Sequence, residues 1–360
     1  MNDETLELLH LLSIEKLTAR DLHALLDRFG SAWKAISAPQ HETGSHVGPE
    51  IAREIASFTA TDALHRKSRK LEQAGVRVMP YYSPEYPPWL ARIDSFPPVI
   101  FIRGIIRPAD EAAIAVIGTR GATVYGKEIA RNFAAAFARA GVTVISGMAR
   151  GVDTAAHLGA LENNGRTIAV LGTGIDICYP PENARLMTDI GNAGAVVSEF
   201  NPGTPPYAHN FPRRNRIVSG LAKAVVAIEA REKSGVMNTV KWALDQNKDV
   251  FAVPGNIYSK TSYGTNRLIK DGAIPVTSPE EVLDYLGMTH TKLERTTREL
   301  LSDKNEKNIW EALSHEPIYL DALAERLNQP TSVILSILLS LEIKGYVKQL
   351  PGMAFVRSFE

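Results

Sequence analysis

The sequence of 360 residues predicts an α/β protein: a mainly parallel sheet covered on both faces, with a small helical domain before it and another after it. Two observations predict the sheet. Between residues 112 and 287, short apolar, β-branched runs recur, each followed by a glycine turn and a helical stretch. Strict alternation of strand and helix signals implies βαβ units, and strands apolar throughout imply burial on both faces. The flanks read differently. Residues 1–75 carry apolar positions at helical spacing, and residues 305–360 read as three helices followed by a hairpin.

Along the chain, Leu6, Leu8, Leu9, Leu11 and Leu12 form one apolar cluster, and Leu22, Leu25, Leu26 and Phe29 another. Gly30 is placed to stop a helix and Ser31 to cap the next, Ala32–Ile36. The polar stretch from Pro39 to Pro49 reads as a loop, and 50–74 as one longer helix ending at Gly75. Prolines crowd 79–109, with short strands expected at Val76–Met79 and Val99–Arg103, a connection into the main domain. Further strands are expected at Ala113–Ile117, Val142–Ser146, Thr167–Leu171, Ala195–Glu199, Ala224–Glu229, Asp249–Val253 and Ile274–Thr277, with helices between them. Residues 288–304 are polar and charged and read as a linker. In the tail, helices at Asn305–Ser314, Leu320–Leu327 and Pro330–Lys344 precede two short strands around Leu350-Pro351-Gly352-Met353, a winged-helix pattern. The domain boundaries are therefore 1–75, 76–287, 288–304 and 305–360.

Forty Lys and Arg balance forty Asp and Glu, so a nucleic-acid site would have to be a local patch. No apolar run approaches the roughly 20 residues of a spanning helix. The acidic opening Met1-Asn2-Asp3-Glu4 lacks a signal-peptide pattern, and a single cysteine, Cys178, excludes an internal disulfide framework and a clustered thiolate metal site. A reducing cytoplasm is the simplest home, with no membrane partner.

The chemistry concentrates at the strand ends. The first strand of the repeat runs into Ile117-Gly118-Thr119-Arg120-Gly121 and then a helix. A glycine turn before a helix N-terminus presents free amides that attract phosphate, and Arg120 adds a planar cation. The spacing is not G-x-G-x-x-G, and Ser146-Gly147 stands where a ribose-binding carboxylate would close the second strand, so a dinucleotide cofactor is disfavoured. The second strand ends in Ser146-Gly147-Met148-Ala149-Arg150-Gly151-Val152-Asp153, bringing Arg150 within reach of the same crevice. His157 reads as a packing residue and Asp153 as a helix-dipole partner. The third strand gives Leu171-Gly172-Thr173-Gly174. Glu229 ends a further strand, placed to orient an arginine or to reject an extra phosphate, with the orienting role favoured. The sharpest segment is Phe211-Pro212-Arg213-Arg214-Asn215-Arg216, arginines opening a helix beside aromatic faces, Phe211 and Tyr207, on which an unpaired base can stack.

These motifs, with Tyr125-Gly126, Ser219-Gly220-Leu221, Ser234-Gly235, Val253-Pro254-Gly255 and Gly264-Thr265-Asn266, resemble the DprA (Smf) family of DNA-processing proteins across roughly residues 78–287. The resemblance implies an extended Rossmann-like fold that binds single-stranded DNA, forms a homodimer and hands the strand to the recombinase RecA in natural transformation, without enzymatic activity, cofactor or metal. It places the DNA pocket on Arg120, the Gly172–Gly174 loop, Phe211 and the Arg214-Asn215-Arg216 turn, within a wider candidate set of Gly118, Thr119, Arg120, Gly147, Arg150, Gly172, Gly174, Phe211, Arg213, Arg214, Asn215 and Arg216. Residues 6–36 resemble a helix-hairpin-helix (SAM-like) domain, but Ser13-Ile14-Glu15-Lys16-Leu17 lacks the glycines of a DNA-binding hairpin. The third tail helix carries no Arg or Lys before Lys344, which favours a protein-interaction role or weak DNA binding. The last strand and helix, Ile274 to Leu286, are the expected dimer surface. With Arg120, Arg150, Arg214 and Arg216 each neutralising one phosphate, the salt slope would be near −3. The alternative is a nucleotide-binding or nucleoside-monophosphate-processing enzyme on a related Rossmann-like fold, which would need a carboxylate poised over the sugar.

Overall fold

The computed structural model describes residues 3–59, 61–288, 303–313 and 317–357, and the chain divides into two units, 1–288 and 289–360. The expected linker lies almost entirely outside the described residues.

The first unit opens with helices α1 (Asp3–Ser13), α2 (Ala19–Phe29), α3 (Ala32–Ser37), α4 (Gln40–Val47), α5 (Pro49–Ala56) and α6 (Asp62–Gln73). Thr18 and Asp21 form a reciprocal capping box on α2, Gly30 stops that helix at φ 78°, and Ser31 caps α3. Two expectations fail here. Residues 40–47 are helical, held by packing that the weak local pattern does not advertise: Thr43 is buried and Gly44 lies against Ala52. The helix expected over 50–74 is two helices. The hydroxyl of Ser57 donates to the carbonyl of Glu54 at the end of α5, and Thr61 accepts the amide of Leu64 to start α6. Leu8, Leu11, Leu22, Leu25 and Leu26 meet in one core cluster.

The sheet follows: β1 (Val76–Pro80), β2 (Val99–Gly104), β3 (Ile114–Ile117), α7 (Val124–Arg139), β4 (Val144–Ser146), α8 (Val152–Glu162), β5 (Thr167–Val170), α9 (Ala184–Ala193), β6 (Ala195–Ser198), α10 (Asn210–Leu221), β7 (Ala224–Ala227), α11 (Gly235–Asp245), β8 (Asp249–Ala252), α12 (Tyr263–Lys270), β9 (Ile274–Pro275) and α13 (Pro279–Tyr285). Its nine strands run in the order β1-β2-β6-β5-β4-β3-β7-β8-β9. From β6 to β9 all pairings are parallel. The proline-dense connection contributes β1 and β2, which pair antiparallel and extend the sheet beyond β6.

Alternation along β3 shows how the layers form. Ile114 and Val116 join Phe133 and Phe137 of α7 and Val152 of α8 in one core, while Ala115 and Ile117 face Ile217 and Leu221 of α10 and Val240 of α11 in the other. Strand order reverses between β3 and β7. A doubly wound sheet opens a crevice at that switch point, outside the carboxyl ends of the strands.

The second unit contains α14 (Lys304–Ala312), β10 (Ile318–Tyr319), α15 (Leu320–Leu327), α16 (Thr331–Ile343) and a β11 (Val347–Leu350)–β12 (Ala354–Arg357) wing, with β10 pairing β12. Its core holds Ile309, Leu323, Ile334, Leu338, Leu341 and Phe355. Among the described residues no helix is long and apolar enough to cross a membrane.

A buried ion pair locks α10 to the strand end of β6. Arg216 grips Glu199 with two 2.7 Å bonds and donates to the carbonyl of Ser95, while half-exposed Arg213 reaches the same carboxylate at 2.9 Å. Glu199→Ala leaves a buried guanidinium without its counter-charge and is expected to cost about 3–5 kcal/mol. Arg213→Ala removes only a screened partner and is expected to cost less than about 1 kcal/mol. Urea denaturation of the full chain measures both, and equal costs would show that the buried pair does not dominate.

Candidate nucleic-acid interface

The crevice at the switch point has a volume of about 410 Å³. Gly118, Thr119 and Arg120 line it after β3, Gly147 and Ala149 after β4, Phe211, Arg214 and Asn215 from α10, and Arg231, Lys233 and Ser234 after β7, with the Arg231 guanidinium 3.3 Å from where a Cβ on Gly121 would sit. Arg120 and Arg214, named from distant parts of the sequence, thus share one crevice.

Glycines make this approach possible. A Cβ on Gly147 would sit 2.5 Å from the Arg214 guanidinium and 2.8 Å from the Asp153 carboxylate. Arg214, buried, fills that space and donates to the carbonyls of Gly147 (2.6 Å) and Val170. Asp153 accepts the amides of Gly147 (3.1 Å) and Ala149 (3.3 Å). Burial pulls the Arg214 guanidinium down to about 10, with Arg120 pushing the same way and Asp153 opposing, and burial also raises the Asp153 carboxyl. Asp153 is the acidic residue of the lining, and its carboxylate is engaged in shaping the loop. A Cβ on Gly172 would lie 2.7 Å from the Phe211 ring, so Gly172 seats that ring without lining the crevice.

Arg120 is exposed, and its guanidinium stands 5.0 Å from the centroid of Phe211, a cation–π contact at the mouth. Tyr179 packs on the same ring at 5.6 Å. Among the described residues Arg120, Arg231 and Lys233 have no carboxylate partner, so their charge is available to a polyanion.

Several expected positions lie elsewhere. The helix starts at Asn210, so the arginines occupy its first and second turns and do not open it. Adjacent residues on a helix diverge by about 100°. Arg214 therefore enters the crevice while Arg213 and Arg216 turn to Glu199, and Arg216 has its donors spent in the core. Arg150 stands outside the lining, in an exposed ion pair with Glu182. Gly174 packs beneath Asn201 and Gly203. Tyr207 stacks on His209 with ring centroids 5.6 Å apart. His157 is buried against the Thr167 hydroxyl at 2.7 Å, and burial drives its imidazole down to about 3, so it stays neutral.

Among the described residues Glu229 pairs with no arginine. Its carboxylate accepts the amide (2.9 Å) and hydroxyl (2.7 Å) of Thr123 and the hydroxyl of Thr261 (2.9 Å). It thereby supplies an internal anion to the N-terminal turn of α7, where a phosphate was expected from the sequence. Arg231 and Lys233 line the crevice without having been expected from the sequence. Their signal was present: two cations in the loop between a β-branched strand and Ser234-Gly235, the same strand–turn–helix device that carries Arg120.

Comparison with known proteins agrees with this architecture. The family described as DNA recombination-mediator protein A matches residues 77–287, and the DprA winged helix domain matches residues 293–353. Protein Smf of Escherichia coli is 39% identical over 290 residues, 78% of each chain. The X-ray structure of DNA processing protein A from Streptococcus pneumoniae is similar with a TM-score of 0.69 at 31% identity, covering 78% of this chain and 97% of that one. A structure of DNA processing protein A from Helicobacter pylori, addressing the single-stranded DNA binding mode of that protein, is similar with a TM-score of 0.52 at 28% identity, covering 59% of this chain and 95% of that one. The chain therefore belongs to the DprA/Smf family of DNA recombination mediators, an extended Rossmann-like sheet followed by a winged helix.

Proposed function

We propose that the protein binds single-stranded DNA in the switch-point crevice. The observation that carries this reading is Arg120, exposed, without a carboxylate partner among the described residues and poised over Phe211, in a crevice that Arg231 and Lys233 also line. Cations that track a backbone beside a ring face that accepts any base are the requirements of sequence-tolerant strand binding. The Helicobacter pylori relative, with its single-stranded DNA binding mode, supports the same reading. Of the residues expected from the sequence, Gly118, Thr119, Arg120, Gly147, Phe211, Arg214 and Asn215 fit this role. Arg231 and Lys233 join them, Gly172 acts by seating the ring, and Arg150, Gly174, Arg213 and Arg216 are left out.

We further infer that the protein is a cytoplasmic homodimer that protects incoming DNA and passes it to RecA in natural transformation. Membership of a recombination-mediator family supports the mediator role. The segment Ile274 to Leu286 is the proposed dimer surface: β9 is an outer strand of the sheet and Tyr285 is exposed beside it. The cation-free helix α16 fits a protein-interaction role better than a grip on duplex DNA.

Arg120→Ala and Phe211→Ala are each expected to weaken binding of an oligothymidine by roughly tenfold or more, the scale of one lost phosphate contact or base stack. Anisotropy titration measures this, and wild-type affinity in both variants would dismiss the crevice. Three phosphates met by Arg120, Arg231 and Lys233 give a salt slope near −2, shallower than the −3 expected from four arginines, so that binding weakens about twentyfold between roughly 50 and 200 mM salt. A slope near zero would mean that phosphate is not the partner. Tyr285→Arg is expected to sediment as a monomer, and RecA is expected to assemble faster on strand bound by wild-type protein than on strand mixed with Arg120→Ala. An unchanged sedimenting mass or equal assembly rates would reject the dimer surface or the hand-over respectively.

A further inference from the structure

Beside the crevice lies a second hollow of about 560 Å³, between the loop after β7 and the loop that joins β8 to α12. Arg231 and Lys233 line both cavities, so the two adjoin. The opposite wall is Ile257, Tyr258, Lys260 and Tyr263. Tyr258 is 89% exposed, Ile257 79% and Tyr263 48%. Large apolar faces grouped in the open mark a contact surface more often than a solvated one.

The loop that presents them is anchored at both ends. Asn266 exchanges hydrogen bonds with the backbone of Gly255 at 3.1 and 2.9 Å, the amide of Ala230 donates to the carbonyl of Thr261 at 2.8 Å, and the Thr261 hydroxyl donates to Glu229. Glu229 also holds Thr123, so one carboxylate ties this loop to the turn after Arg120. Of the charged groups that line the hollow, Arg231, Lys233 and Lys260 face the single carboxylate Glu232. None of the three cations forms an ion pair among the described residues. Exposed rings interleaved with free cations suit a chain that offers a base face and a phosphate at each step.

We propose that this hollow is a second subsite for single-stranded DNA, taking the nucleotides that leave the crevice, with Tyr258 as the stacking face and Lys260 as a phosphate partner. The inference rests on the crevice reading. The cations Arg231 and Lys233 shared with the crevice and the excess of positive charge select the strand over an apolar protein partner as the occupant.

The test uses the full chain and oligothymidines of about 4 and about 16 nucleotides, the span of site sizes for a single-strand-binding fold. Tyr258→Ala is expected to weaken the longer oligonucleotide about tenfold, the scale of one lost stack, and to leave the shorter unchanged. Tyr258→Phe, which keeps the ring, is expected to bind both like the wild type. Lys260→Ala is expected to reduce the salt slope for the longer strand by about 0.7. Wild-type affinity of Tyr258→Ala for the longer strand overturns the subsite while the crevice stands. Equal losses at both lengths overturn it, because the loop would then be acting on the crevice itself. A Phe variant as weak as the Ala variant overturns the stacking role, and a changed sedimenting mass in Tyr258→Ala would reassign the patch to a second copy of the chain. Failure of the crevice reading has a separate signature: Arg120→Ala and Phe211→Ala would bind the shorter oligothymidine like the wild type.

Discussion

One buried guanidinium holds the crevice together. Arg214 reaches from α10 to the carbonyls of Gly147 and Val170, at the ends of two neighbouring strands, through space that any side chain at position 147 would occupy. That contact fixes how deeply α10 sits over the strand ends. The depth in turn sets Phe211 against Gly172 and beneath Arg120. A cation with so little water around it is costly unless its donors are satisfied, which explains why two main-chain carbonyls and the Asp153 carboxylate surround it.

The same helix separates two uses of arginine within four residues. Arg216 and Arg213 converge on Glu199, so their charge is cancelled within the fold. Arg120, Arg231 and Lys233 have no such partner among the described residues and surround an opening. A molecule with zero formal charge thereby presents a cationic trough, because neutrality is a sum over the chain whereas a field near a cleft is set by the charges at its rim.

Much of the fold was legible from periodicity. Strand runs such as Ile114–Ile117 and Ala224–Ala227 were apolar throughout, and only a sheet buried on both faces uses such strands. The helix at Gln40–Val47 was not legible, because Gly44 and Ser45 give it poor local propensity and its support comes from Ala52 on the next helix. The site was half legible. Glycine turns marked the loops after β3 and β4 that line the crevice, since a tight turn leaves a sequence mark, whereas the Gly172–Gly174 turn lies outside the lining. The fates of Arg150, Arg213 and Arg216 were hidden because their partners, Glu182 and Glu199, are set by tertiary contact and carry no local signature.

Glu229 gives the crevice a selectivity of its own. By seating its carboxylate at the mouth of α7, the fold places its own anion at the positive end of the helix dipole and takes the Thr123 amide away from outside ligands. A free nucleotide, whose clustered phosphates want a cradle of backbone donors, gains little from such a surface. A polymer, which spaces its charges along a line, can engage the rim cations one after another, so a strand bound as proposed would be told from a mononucleotide by the geometry of its charge more than by its amount.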